Sequence, residues 1–391
     1  MTSKLLTRGV AEINVRSSLE KKIKSGKKLR VKFGIDPTGF DLTLGHAVPL
    51  RKLKAFQDAG HHIILLFGNF TAQIGDPTGK SKVREPLTKK QVEENAKGYL
   101  EQASKIIDTS KVEVVYNADW LEKMSYADIL KLKGNFTVAQ MLERDMFQER
   151  IKKNQEINLV EFEYPLMQGY DSVHLKADIE IGGTDQLFNM MCARPLQKAF
   201  EQNPQDVLTV PMLEGLDGHE KMSKSLNNYI ALNDSAKDMF GKTMSIPDSL
   251  IIKYFELATE VSATDIKQIK EELDSGVNPR DIKIRLAKEI VSLYHDVAAA
   301  DEAEKGFLEV FQKGGMPDDI PEVEIKEKEM KLWDLINATK LCGTSSDSKR
   351  MIEQGSVRLN GEKHIDKSEI IMLESGIIIQ VGKRKWMKVV N

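Results

Sequence analysis

The 391-residue sequence is poor in cysteine, in aromatic residues and in long apolar runs. Its two cysteines, Cys192 and Cys342, lie far apart and have no metal-ligand neighbours. That excludes a disulfide framework and a thiolate zinc site, and it predicts a reducing, cytoplasmic setting. No stretch approaches the roughly 18 apolar residues of a membrane span, so no membrane association is expected. The longest apolar cluster, Ile63 to Gly68, has the length of a strand. The first residues, rich in Lys and Arg, lack the apolar centre of a secretory signal. Neither charge sign dominates: 57 Lys and Arg face 59 Asp and Glu. With 41% hydrophobic and 30% charged residues the chain is globular in composition, neither disordered nor collagen-like. Its length predicts two or three domains, large enough to bury a core without staples. The near-neutral total hides an asymmetry. Residues 330–391 hold 11 basic and 7 acidic side chains, a net of +4 on a body of −6, which points to a polyanion partner for that end.

Periodicity predicts the order of elements. Residues 1–28 read as a charged surface helix. Leu29 to Ile35 alternates as a strand and is closed by Asp36-Pro37-Thr38. Apolar residues recur at helical spacing from Leu44 to Ala59, with Gly60 as the stop. His62 to Phe67 is apolar throughout, as in the middle of a parallel sheet. A Gly- and Pro-rich loop covers 68–86, and Thr88 with Gln91 is a capping box opening a helix to about Ile107. Val112 to Tyr116, Ala177 to Ile181 and Val207 to Leu213 read as further strands, with a helix at 186–200 and polar helical sequence at 120–160. This order argues a doubly wound parallel α/β sheet, whose ligands sit beyond the carboxyl ends of the strands. The expected domains are a sheet domain over 1–231, a helical domain over 232–313 broken at Asn278-Pro279, a linker over 314–329 (two Pro, two Gly, acidic bias), and a small α+β unit over 330–391. In that last unit Ser346 to Gln354 reads as a helix, Val357 to Leu359 as a strand and Asn360-Gly361 as a hairpin turn.

Two short motifs carry chemistry. Thr43-Leu44-Gly45-His46 opens a helix directly after the first strand's loop. Its free N–H groups and positive partial charge suit phosphate, and Gly45 admits a close base. On its own such a turn is decorative in most proteins. The second, Gly218-His219-Glu220-Lys221-Met222-Ser223-Lys224-Ser225, places two mobile point charges three residues apart on a loop of small residues, able to reach separate oxygens of one phosphate chain. A charge run is usually only a solvated loop, but the KMSKS string is far more specific.

Together the two motifs, about 175 residues apart, resemble the HIGH and KMSKS signatures of class I aminoacyl-tRNA synthetases. Four further stretches narrow the likeness: Phe33 to Thr38 (FGIDPT), Ile74 to Lys80 (IGDPTGK), Tyr164 to Asp171 (YPLMQGYD) and Gly182 to Gln186 (GGTDQ). In that combination the chain resembles bacterial tyrosyl-tRNA synthetases over its whole length, and SSDSKRMIEQGSVRLNGE resembles an S4 RNA-binding domain. The resemblance implies a Rossmann-like class I core, activation of L-tyrosine by ATP with accompanying Mg²⁺, transfer to tRNA(Tyr), and a homodimer with residues 120–160 near its interface. It implies no all-protein metal site. Carried onto this sequence, Asp171 would accept the substrate phenol, and Tyr164, Gln168 and Asp76 would hold its ammonium group. Gly183, Asp185 and Gln186 would face the ribose and the substrate carboxyl. Gly34, Asp36, Met212 and Leu213 would join Gly45 around the nucleotide. Thr38, Thr43, His46, Lys80, Arg84, Lys221 and Lys224 would stabilise the charge of the reacting phosphate. Lys349, Arg350 and Arg358 would meet RNA. Two positions depart from the pattern. Thr43 replaces the first histidine of HIGH, keeping a hydroxyl but no charge. Lys32 stands where many members place a tyrosine, and could bridge to Asp171 or to the phenol.

Three rivals follow from the same residues. A tryptophanyl enzyme would lack the QGYD context and usually the S4 tail. A small nucleotidyltransferase would not need residues 232–391. A synthetase-like RNA-binding protein without catalysis would show decay of the lysines or aspartates, and Lys80, Lys221, Lys224, Asp76 and Asp171 are all present.

Overall fold

The computed structural model describes residues 5–76, 88–312, 320–325, 327–382 and 385–390. The chain forms two compact units, Met1–Glu304 and Lys305–Asn391.

The first unit is built on six strands: β1 (Glu12–Asn14), β2 (Arg30–Ile35), β3 (His62–Phe67), β4 (Val112–Tyr116), β5 (Ile179–Gly183) and β6 (Asp206–Val210), in the order β1-β6-β5-β2-β3-β4. All neighbours are parallel except β1, which runs antiparallel to β6 with Ile13 opposite Leu208. The expected helix over 1–28 is therefore corrected. Gly9 adopts φ +58 and the chain then runs extended, Ala11 N–H donating to Thr209 O at 2.9 Å, before a shorter helix, α1 (Arg16–Lys24). The β-branched Val10, Ile13 and Val15 favour this, and they cover ladder groups that β6 would otherwise leave open.

The β2–β3 crossover is α2 (Leu44–Asp58), which turns Leu44, Ala47, Val48, Leu50, Leu53 and Phe56 to the core. After β3 comes α3 (Lys89–Ala103), opened by the Thr88–Gln91 capping box. After β4 the chain passes through short helices, two of them capped by Ser125 and Thr137, and returns as α4 (Glu163–His174) to place β5 on the opposite side of β2. The strand order thus reverses between β2 and β5, and a crevice opens beyond their carboxyl ends. Helix α4 packs on α5 (Leu187–Ala199) at Gly169, where a Cβ would lie 2.9 Å from Leu196 Cδ1 and 3.2 Å from Ala193 N. Further helices follow to residue 312. The helical pattern breaks at Asn278-Pro279 as expected: one helix ends at Asp274 and the next starts at Pro279, with Asn278 accepting from Arg280 N–H at 3.1 Å and Pro279 in the first helical position.

The second unit has a five-stranded sheet, β10-β9-β12-β13-β7, and a β8–β11 pair, where β7 is Glu322–Glu324, β8 Glu329–Lys331, β9 Val357–Leu359, β10 Glu362–His364, β11 Ile370–Met372, β12 Ile378–Val381 and β13 Lys385–Val390. Its core gathers Leu332, Leu335, Ile336, Ile352, Val357, Ile379 and Val389. Part of the expected linker is strand: Val323 pairs with Val389, and Glu329 with Met372. Asn360 (φ 49) and Gly361 (φ 90) form the expected two-residue turn, joining Leu359 to Glu362.

Candidate active site

A cavity of about 350 Å³ lies at the strand-order reversal, lined by the ends of β2 and β5, the start of α2, α4 and the loop after β6. It brings together Gly34, Asp36, Thr38, Thr43, Gly45, His46, Asp76, Tyr164, Gln168, Asp171, Gly183, Asp185, Gln186, Met212, Leu213, Lys221 and Lys224, with Lys32 at its base. Lys80 and Arg84 lie outside the described residues.

One end gathers the two motifs. Thr43 is the N-cap of α2. Its backbone N–H donates to His46 Nδ1 at 3.2 Å, and its hydroxyl lies 2.9 Å from the same nitrogen. With Nδ1 accepting, the ring proton belongs on Nε2. Burial, with Lys224 and Lys221 adding positive charge, lowers the imidazole to about 3, so His46 is a neutral donor at pH 7. The threonine therefore serves the remaining histidine of the motif by fixing its tautomer. Met222 closes over Gly45, whose added Cβ would sit 3.5 Å from Met222 Cβ. The KMSKS loop is pinned at Met222 N–H to Leu213 O (2.8 Å) and Ser223 N–H to Asn228 Oδ1 (2.8 Å). Lys221 pairs with Asp185 at 2.8 Å, so the carboxylate expected at the ribose holds a lysine here. Lys224 donates to Asp41 O at 3.0 Å and to the Tyr99 hydroxyl at 2.5 Å. Helix α3, which carries Tyr99, also ties down the loop after β2: Asn95 donates to Pro37 O, and Gln102 binds Leu42 N–H and Phe40 O.

The other end is a buried network of carboxylates and amides. Asp171 accepts from Trp120 Nε1 at 2.9 Å and from Asn117 Nδ2 at 3.3 Å. Burial raises its carboxyl to about 7, against the opposing pull of Lys32 and those two donors. Asp36 is also raised to about 7 by burial, although Tyr164 and Thr71 both donate to it at 2.8 Å. Gln186 Nε2 donates to Asp76 at 2.7 Å, so Gln186 supports the carboxylate expected to meet an ammonium group. Lys32 does not reach Asp171 by a hydrogen bond. Its ammonium pairs with Glu180 at 3.0 Å and donates to Ser172 Oγ at 2.7 Å and to Gln168 O at 3.1 Å. Trp120, Asn117, Thr71, Ser172 and Glu180 were not anticipated. Glu180 had a legible signal, a charge between Ile179 and Ile181 in a strand whose neighbours are apolar.

In the second unit Lys349, Arg350 and Arg358 are all exposed. Arg350 is tied to Asp347 at 2.7 Å, and Arg358 donates to Gly361 O at 2.9 Å.

The same division appears in comparison with known proteins. The family model "tRNA synthetases class I (W and Y)" matches residues 24–312, which leaves tryptophan and tyrosine both open. The model of the tyrosine–tRNA ligase SYY-like C-terminal domain matches residues 312–389. A tyrosine–tRNA ligase of Shewanella oneidensis is 49% identical over 385 residues, 98% of this chain and 97% of its own. One of Nitrosomonas europaea is 49% identical over 387 residues, 98% of this chain and 95% of its own. The chain belongs to the tyrosine–tRNA ligase family. Its first unit has the class I synthetase fold. The tyrosyl-tRNA synthetase of Archaeoglobus fulgidus complexed with L-tyrosine superimposes with a TM-score of 0.62 at 24% identity, covering 77% of this chain and 98% of that one. The tryptophanyl-tRNA synthetase of Plasmodium falciparum reaches 0.58 at 14% identity, covering 76% and 82%; at these identities the likeness is one of fold. No described helix is long and apolar enough to cross a membrane.

Proposed function

We propose that the cavity activates L-tyrosine with ATP and passes the tyrosyl group to the terminal adenosine of tRNA(Tyr). A carboxylate oxygen of tyrosine attacks the α-phosphorus; the new P–O bond forms as the bond to pyrophosphate breaks, giving tyrosyl-adenylate. A ribose hydroxyl of the tRNA then attacks the carbonyl carbon, losing its proton as AMP leaves. The observation that carries this reading is the joining, in one cavity, of Asp171 at a dry end with His46, Lys221 and Lys224 at the other. Such a transfer needs positioning and charge stabilisation rather than a protein nucleophile. His46 Nε2–H and the two lysines meet charge developing on the phosphates, and Thr38 joins them. Lys80 and Arg84 are assigned the same task by sequence. Asp171 accepts the phenol; Asp76, Tyr164 and Gln168 surround the ammonium group. Gly183, Asp185 and Gln186 face the ribose and the carboxyl end, with Gly34, Asp36, Gly45, Met212 and Leu213 around the nucleotide. Mg²⁺ enters with ATP. The described donors at the phosphate end are mainly cationic or neutral, which suits a metal held by the phosphates themselves.

The C-terminal unit takes the role of an S4-like RNA-binding domain, with Lys349, Arg350 and Arg358 contacting phosphates. The protein acts in the cytoplasm as a homodimer. The exposed Tyr126, Leu130, Val138 and Leu159 support an interface in the 120–160 region. The domain limits expected from sequence, 1–231 and 232–313, are kept, while the C-terminal domain takes in β7 and β8 and so begins within the 314–329 stretch. The test is ATP–pyrophosphate exchange with tyrosine, tryptophan and phenylalanine, on the native chain and on Asp171→Ala. Exchange driven by tyrosine and lost in the variant is expected. Exchange driven by tryptophan overturns the substrate, and no exchange from folded protein overturns the reaction.

A further inference from the structure

Beneath the cavity Lys32 and Glu180 form an ion pair from which water is excluded: their side chains are 0% and 1% exposed. Both charges are saturated by the protein. An ammonium group has three N–H bonds, and those of Lys32 are met by Glu180 Oε1, Ser172 Oγ and Gln168 O. The carboxylate of Glu180 accepts four hydrogen bonds: Lys32 and Gln168 Nε2 (3.0 Å) at Oε1, Ser172 Oγ (3.0 Å) and Gln205 Nε2 (2.5 Å) at Oε2. Nothing is left over for a ligand, so neither residue is a binding group in its own right. A pair buried this completely is also weak evidence for stability, because desolvation offsets its attraction.

Lys32, Glu180 and Gln168 all border the cavity, and of the three it is Gln168 that keeps a polar end to offer. A glutamine amide has a donor end and an acceptor end of nearly the same shape. Glu180, as half of an ion pair, offers only lone pairs, so it takes the Nε2 end. Oε1 is thereby turned the other way, and among the described residues nothing donates to it. The opposite orientation would aim two N–H bonds at an ammonium group.

We propose that the buried Lys32–Glu180 pair is a positioning unit that orients the Gln168 amide, so that its Oε1 receives the α-ammonium of the amino-acid substrate. This rests on the reading of the cavity as a tyrosine site. Glu180 is then a selector for the charged amino group and acts on it only through Gln168.

The test compares tyrosine with 3-(4-hydroxyphenyl)propionate, which keeps the phenol and carboxylate and lacks the amino group. Glu180→Gln lets the Gln168 amide turn either way. Because it also leaves Lys32 buried without its counter-charge, the charge-balanced Lys32→Met/Glu180→Gln is made beside it and keeps the experiment readable if the single variant does not fold. Both variants are expected to raise the KM for tyrosine in pyrophosphate exchange by about tenfold, the scale of one hydrogen bond to a charged group. kcat and the Kd of the propionate should change by less than about twofold. On a Gln168→Ala background the Glu180 change should add nothing. Equal losses for both ligands, or full additivity with Gln168→Ala, would overturn the proposal. A native chain with no tyrosine-dependent exchange would instead overturn the underlying substrate reading, a result visible before any variant is made.

Discussion

Asp171 lies in a range where its charge responds to small changes, and Trp120 is the group to remove. Only the ionised carboxylate offers Asp171 as a pure acceptor to the phenol O–H, so tyrosine affinity should rise as pH increases through about 7. Burial sets that value and the Trp120 indole N–H, at 2.9 Å, holds it down. A hydrogen bond to a charged group contributes about 1.5–3 kcal/mol, and one pKa unit corresponds to about 1.4 kcal/mol. Trp120→Phe should therefore move the Asp171 midpoint up by about one to two units. At pH 7 the ionised fraction falls from about a half to between about a tenth and a hundredth, a loss in tyrosine affinity of about 5- to 50-fold. At pH 8.5 between about a quarter and three quarters of the group is ionised again, and the loss shrinks below about fivefold. Asp36 titrates in the same range and is raised in part by the charge of Asp171, so protonating Asp171 in this variant moves Asp36 down, the opposite direction to the Asp171 midpoint. The assay is the KM for tyrosine in exchange, or Kd by calorimetry, between pH 6 and 8.5. A midpoint that stays or falls, or an equal loss at every pH, would refute the argument; the second result would mean that the indole acts by filling space beside His174, on which it stacks at 4.3 Å.

Gly169→Ala should lower thermal stability by about 1–3 kcal/mol despite the better helix propensity of alanine, because the new methyl meets Leu196 and the backbone of α5; a calorimetric melt reads it. Lys221→Ala should reduce kcat for exchange by about 10²-fold, the scale of a lost oxyanion donor, while the tyrosine KM changes little; an effect confined to that KM would place the lysine elsewhere. Thr43→Val removes the hydroxyl at His46 Nδ1 and a helix cap together. It should cost about 1 kcal/mol in a denaturant titration and lower kcat, since the imidazole then turns more freely. Lys349→Ala and Arg358→Ala should each weaken tRNA binding and reduce the slope of log affinity against log salt by about 0.7–0.9, measured by filter binding at several salt concentrations.

What could be read in the sequence was local. The strand ending at Ile35, the Gly-His turn, the KMSKS loop and the Asn360-Gly361 hairpin each announce themselves within about ten residues, through turn chemistry and periodicity. Their meeting at one cavity follows from the β–α–β order, which sends strand ends to one side of a sheet. What could not be read depends on pairings across long separations. Glu12–Asn14 become an edge strand only because β6, nearly 200 residues later, presents an open ladder to them. Lys32 meets Ser172 and Glu180 across about 140 residues, and Glu180 meets Gln205 across 25. In sequence Lys32 therefore looked like a free charge able to reach a phenol, and Glu180 was one more acidic residue. A buried charge declares its role only when its counter-charge is located. Here the location reverses the inference: a lysine whose three N–H bonds are already satisfied cannot bind substrate. Its influence on specificity has to pass through the uncharged amide that shares its carboxylate.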